Sequence, residues 1–118
     1  MIQLFLLRPG YRDENIDPAW QTWYCPDCAW IEGILHYYPS LRGRMEVIYV
    51  DFPRPRPALE AVLGPQHTAC PALVFSPEED PWPLSGQFTY AAGRHFTNDK
   101  MVIARFFAEK WGISLPHP

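Results

Sequence analysis

A chain of 118 residues is the length of one domain and can bury a core without disulfide or metal staples. Its 10 Lys and Arg against 13 Asp and Glu leave a formal charge of -3, which offers no footprint for nucleic acid and no basic membrane anchor. No apolar run nears the roughly 18 residues of a membrane span, and Met1–Leu7 is too short for a secretory leader before Arg8 ends it. The 3 cysteines, an odd number, argue against a disulfide framework and for redox or metal chemistry, with the cytoplasm as the expected compartment. Proline, 14 of 118 residues against an ordinary usage of roughly 5%, gathers between the periodic segments and predicts long, stiff connections.

The first periodic element is a short apolar strand, Ile2–Leu7. A loop follows from Arg8 to Trp23; connections of that length are uncommon, and it either serves a site or covers the sheet edge. A helix is expected from Pro26 to Tyr38: Pro26 suits a first helical position, Ile31, Ile34, Leu35 and Tyr38 share one face, and Pro39 stops it. Gly33 inside it costs about 1 kcal/mol against Ala and hints at a close approach of helix to sheet. Met45–Val50 is a β-branched strand, so strand, helix and strand make a βαβ unit with parallel pairing. The extended basic segment Phe52-Pro53-Arg54-Pro55-Arg56-Pro57 leads to a short helix, Ala58–Leu63, closed by Gly64. Thr68–Phe75 enters a third strand through Pro71, and a fourth lies within Gln87–Phe96, pairing antiparallel through the long turn Ser76–Gly86. The last helix starts near Thr97 or Asn98 and runs to Trp111, burying Val102, Ile103, Phe106 and Phe107.

The stretch Trp23-Tyr24-Cys25-Pro26-Asp27-Cys28 carries the chemistry. With Cys25 as helix N-cap and Cys28 one turn on, both sulfurs lie on one side and feel the positive end of the helix dipole. A thiolate in such a place is stabilised and makes a good attacker and leaving group in disulfide exchange. Asp27, between the thiols, favours the helix start but repels a thiolate, so it is expected to make the pair more reducing and Asp27→Asn to ease thiolate formation. Arg54 and Arg56 follow the second strand, whose carboxyl end opens on the same edge as the thiols. One of them is a candidate partner for a carboxylate of glutathione or of a peptide; the alternative is a solvated extended turn. Glu32, four residues after Cys28, is either a proton shuttle to that thiol or a solvated surface carboxylate. His36, His95 and His117 are given no catalytic role.

The order β-α-β-α-β-β-α, with Cys-x-x-Cys at the first helix and Pro71 opening the third strand, resembles the thioredoxin superfamily over nearly the whole chain. Tyr24 before Cys-Pro-x-Cys is more similar to glutaredoxins than to thioredoxins. The chain also resembles an uncharacterised bacterial family, a domain of unknown function, in its Tyr24–Ala29 run, its Phe-Pro-Arg-Pro-Arg run and its final Pro-His-Pro. The resemblance implies a single α/β domain with a four-stranded mixed sheet, Cys25 as nucleophile and Cys28 as resolving thiol. It implies that Pro71 is a cis-proline facing the thiols, with the backbone beside it pairing with an extended peptide or glutathione. Asn98 and Asp99 match the place where glutaredoxins hold the γ-glutamyl end of glutathione. Two features depart from glutaredoxins: no glycine pair is evident in Gly93-Arg94-His95-Phe96, and the loop Arg8–Trp23 is longer.

The expected activity is thiol–disulfide exchange with a peptide, protein or glutathione partner, with no resident cofactor and glutathione as a candidate co-substrate. Substrate contacts are expected from Tyr24, Arg56, Cys70, Pro71, Asn98 and Asp99. Other readings stay open. Cys70 beside Pro71 faces the thiol pair in such folds, and with His67 the spacing resembles a Cys₃His zinc set; three sulfurs would also suit copper(I). A glutathione-conjugating module and a binding module without turnover are the remaining alternatives.

Overall fold

The apolar run after Met1 forms β1 (Gln3–Leu7), and the β-branched run downstream forms β4 (Glu46–Val50). The computed structural model describes residues 1–118 and pairs these strands in parallel, Gln3 opposite Glu46 through Leu7 opposite Val50. The helix between them, α1 (Pro26–Tyr37), is the expected crossover. It ends against Pro39, whose fixed ring continues as a single 3₁₀ turn, Pro39–Gly43.

The rest of the sheet is antiparallel. After α2 (Pro57–Leu63) the chain enters β5 (Ala72–Val74), which lies against β1 on the side away from β4. Gln87–Phe96, expected to hold a single strand, contains two: β6 (Thr89–Ala91) and β7 (Arg94–Thr97). They fold back on each other through Ala92 and Gly93, at φ 54° and 74°, the left-handed pair that a two-residue hairpin requires. The second arm, β7, takes the place beside β5, and the sheet has five strands rather than four, in the order β4-β1-β5-β7-β6. The expected loop Arg8–Trp23 is also partly ordered, with β2 (Tyr11–Arg12) and β3 (Thr22–Trp23) paired as a two-stranded ribbon. The last helix, α3 (Lys100–Trp111), is capped by Asp99 rather than Thr97 or Asn98; the Asp99 carboxylate accepts the Met101 and Val102 N–H groups.

Both faces of the sheet are covered, which explains why β1 is continuously apolar rather than alternating. Leu4 and Leu6 point to α1 and α3 and meet Ile31, Leu35, Ile103 and Phe107. Phe5 points the other way, toward Leu59 and Leu63 of α2. The stripe expected on the last helix is buried as the periodicity requires, with Val102, Ile103, Phe106 and Phe107 all in the interior. Gly33 does not mark a close approach: a Cβ there would meet nothing within 4 Å.

The pairing register sets the position of the site. Leu7, Val50, Ala72 and Thr97 all fall at one edge of the sheet, because Leu7 lies opposite Val50, Phe5 opposite Ala72, and Leu73 opposite Thr97. The segments that leave or reach these four residues therefore converge. They carry the thiol pair, the two arginines, Cys70 with Pro71, and Asn98 with Asp99.

Candidate functional site

Cys25 sits just outside the helix, with φ -76° and ψ 115°, and Pro26 supplies the first helical residue. The extended backbone at Cys25 turns its side chain back over the first turn, where the Cys28 N–H donates to Cys25 Sγ at 3.2 Å. The Cys25 thiol in turn donates to the Cys70 carbonyl at 3.9 Å, so the nucleophile candidate touches the segment just before Pro71. The Cys70–Pro71 peptide is cis. All three cysteines are free thiols.

The three thiols differ in environment. Cys25 is half-buried, whereas Cys28 is only 4% exposed and packs into the core beneath the helix start. Burial pushes the Cys28 thiol far up, and the Cys25 side chain adds to that rise. The Leu7 N–H, donating to Cys28 Sγ at 3.5 Å, opposes it. Burial also raises Cys70, to about 11, even though Arg56 and Arg54 nearby pull in the other direction. Cys28 and Cys70 are therefore held as thiols at neutral pH, and Cys28 is the most buried of the three sulfurs.

Arg56 is not a solvated turn residue. It is 3% exposed, and its Nη1 donates to the Thr68 carbonyl at 2.6 Å while Nε and Nη2 donate to the Phe52 carbonyl at 3.1 and 2.6 Å. Its guanidinium lies 5.5 Å from the Phe52 ring centre, and burial lowers its pKa from the ordinary value. Arg56, expected to contact a ligand, here clamps the segment after β4 to the segment before Cys70. Arg54 is the exposed one of the pair, with Nε on Thr68 Oγ1 at 3.0 Å.

Asn98 is exposed but tied to the Pro71 segment, its amide donating to the Ala69 and Pro71 carbonyls, each at 3.0 Å. Asp99 spends its carboxylate on the α3 N-terminus, as described above. Asp27 is paired: Lys100 Nζ lies 3.0 Å from its Oδ1 and also sits over the Trp30 ring. Lysine at a helix start opposes the macrodipole, and that misplaced charge was the signal for such a partner. Tyr24 is exposed and borders a cavity of about 500 Å³ that opens on both Cys25 and Cys28. Leu6, Leu7, Pro9 and Tyr49 line it, and Glu32 closes one side.

Glu32, either a proton shuttle or a solvated surface group by its spacing from Cys28, has two partners that the spacing does not show. Tyr49 donates its hydroxyl to the Glu32 carboxylate at 2.9 Å, and Arg42 pairs with the same carboxylate. Tyr49 stands opposite Leu6 in the β1–β4 ladder, so alternation along β4 was the signal that it faces α1. Tyr11 is likewise unmarked by spacing; it stacks on Phe52 with ring centres 4.2 Å apart and anchors the β2–β3 ribbon near the thiols. His67 packs at a tilt against the Phe96 ring, and no group of three or more His, Cys, Asp or Glu side chains is arranged to hold a metal ion. No helix is long and apolar enough to cross a membrane.

A family model described as a protein of unknown function (DUF3088) matches residues 2–115, nearly the whole chain. No curated protein and no solved structure matches the sequence. The chain belongs to this family of unknown function.

Proposed function

We propose that this member of the family is a thiol–disulfide oxidoreductase of the thioredoxin type, with Cys25 as nucleophile and Cys28 as resolving thiol. One observation carries the reading: Cys25, at the helix N-cap, receives the Cys28 N–H and meets the carbonyl preceding Pro71, while Cys28 is buried directly behind it. As the attacking thiolate, Cys25 Sγ keeps the Cys28 N–H aimed at it. It attacks one sulfur of a substrate disulfide, forming a mixed disulfide and releasing one substrate thiolate, which takes a proton from solvent. Cys28 then loses its proton and attacks Cys25 Sγ; the second substrate thiol leaves, and the protein holds the Cys25–Cys28 disulfide. Substrate gains two electrons and the protein pair loses two.

The strand order beside the thiols supports the thioredoxin-type assignment: a parallel pair joined by α1, with an antiparallel strand entered through Pro71. The reading carries the cytoplasm as its compartment, where reducing systems keep thiols free. Reduction of insulin or of a glutathionylated peptide, coupled to an external dithiol, tests it. Turnover should vanish in Cys25→Ser, and in Cys28→Ser it should stall at a mixed disulfide on Cys25. Turnover that survives Cys25→Ser, or none with any disulfide, would reject the assignment.

A further inference from the structure

The cavity beside the thiols has a chemistry of its own. Its volume, about 500 Å³, is that of a small-molecule or side-chain site. Its walls are apolar around the sulfurs, with Leu7, Pro9, Tyr24, Ala29 and Tyr49 among them. The single acid on its wall, Glu32, is already met by the Tyr49 hydroxyl and the Arg42 guanidinium, so its charge is balanced within the protein.

The groups expected to receive an anionic tripeptide are likewise committed elsewhere. The Arg56 donors are spent on the Phe52 and Thr68 carbonyls, and the Asn98 amide on the Ala69 and Pro71 carbonyls. Asp99 occupies the Met101 and Val102 N–H groups with a carboxylate of its own, and Lys100 is paired with Asp27. Arg54 faces solvent by Thr68, in the segment leading to Cys70, and no lysine or arginine is among the residues of the cavity wall.

Resting on the exchange reading above, we infer that this cavity selects the substrate: it receives an uncharged apolar group, an aromatic or branched aliphatic side chain, carried next to the attacked disulfide. Burying such a group against these walls removes apolar surface from water, whereas a glutathionyl moiety would bring carboxylates to walls that hold no cation and whose neighbouring arginines, Arg8 and Arg42, are paired with Asp51 and Glu32. The preferred substrates are therefore neutral, apolar disulfides rather than glutathione disulfide.

The test traps the first step. Cys28→Ser protein is mixed with excess of three disulfides in turn, and the Cys25 adduct is followed by intact mass. The three are N-acetylcysteinyl-phenylalanine amide disulfide, N-acetylcysteinyl-glycine amide disulfide and glutathione disulfide, each corrected for its reactivity with a free model thiol. The expected order is the aromatic amide first, by about tenfold or more over glutathione disulfide. Ala29→Phe, which fills the mouth from an exposed helix position, should bring the aromatic rate down to that of the glycine amide. Ala29→Lys, in the same background, should shift the ratio toward glutathione disulfide. Adducts that form without preference among the three, or a preference unmoved by both Ala29 variants, would overturn the cavity assignment and leave disulfide exchange standing. No adduct with any disulfide, in protein whose Cys25 still reacts with iodoacetamide, would remove the exchange reading and this inference together.

Discussion

Arg56 brings a positive charge into the interior and meets carbonyl oxygens there instead of a carboxylate. Removing it leaves those acceptors buried and unpaired, so Arg56→Met should lower stability by about 2–4 kcal/mol in urea unfolding. A loss under about 0.5 kcal/mol, the range of ordinary surface changes, would mean that the clamp is unimportant. At Cys25 the balance is finer, because Lys100 offsets the Asp27 carboxylate that the sequence sets between the thiols. Both side chains are substantially exposed, so their effects are screened. Lys100→Gln should slow Cys25 alkylation by iodoacetamide about two- to threefold at neutral pH and low salt, and Asp27→Asn should speed it by a similar factor. Equal rates in both variants and the parent would show that neither charge reaches the thiol. The thiol motif and its helix cap were legible from Pro26 and the residue spacing alone. The Asp27–Lys100 and Glu32–Tyr49–Arg42 contacts were not, since they join residues that only the tertiary fold brings together.

Among the elements, α1 carries an avoidable weakness. Gly33 lies mid-helix with open space where a Cβ would go, so Gly33→Ala should stabilise the protein by about 1 kcal/mol, read as a higher urea midpoint with an unchanged slope. A decrease would show that the backbone there needs the freedom of glycine. The segment before β5 is held from the far side of the sheet edge by Asn98, whose two hydrogen bonds fix the Ala69 and Pro71 carbonyls. Asn98→Ala should cost about 1 kcal/mol and hasten amide exchange in residues 66–70 without disturbing the core. Protection that stays at the parent level would place the restraint elsewhere. The long, periodic helices could be read from sequence to within a residue or two, because apolar spacing and proline stops both marked them. The β6–β7 hairpin could not: its turn places an alanine at φ 54°, where asparagine or glycine would have announced it. The β2–β3 ribbon is two residues per arm, and its Tyr11–Phe52 stacking is a contact between distant segments.

For the whole molecule, the sheet register gathers four sequence-distant segments at one edge, and the order of strands is what brings the Cys-x-x-Cys motif beside Cys70 and Pro71. Placing strands on both sides of β1 buries Cys28 and leaves Cys70 half-covered, so folding raises both thiols. The unfolded chain loses these protons near the ordinary thiol pKa of about 8.5, while folded Cys70 keeps its proton up to about 11. The unfolded state thus binds fewer protons in that window, and stability, full below it, falls as pH rises through it. The urea midpoint should drop between those limits in the parent and drop less in Cys70→Ala; an identical decline in both would contradict the burial of that thiol.

The claim on which the rest depends is that Cys25 and Cys28 form one reversible redox pair. Native mass spectrometry of protein prepared without reductant, then after reduction, addresses it most directly, with Cys25→Ser, Cys28→Ser and Cys70→Ser variants alongside. The account predicts a reducible two-hydrogen mass difference that disappears in the first two variants and persists in Cys70→Ser. A bound metal lost in both Cys25→Ser and Cys70→Ser, or a thiol pair that never oxidises, would contradict it.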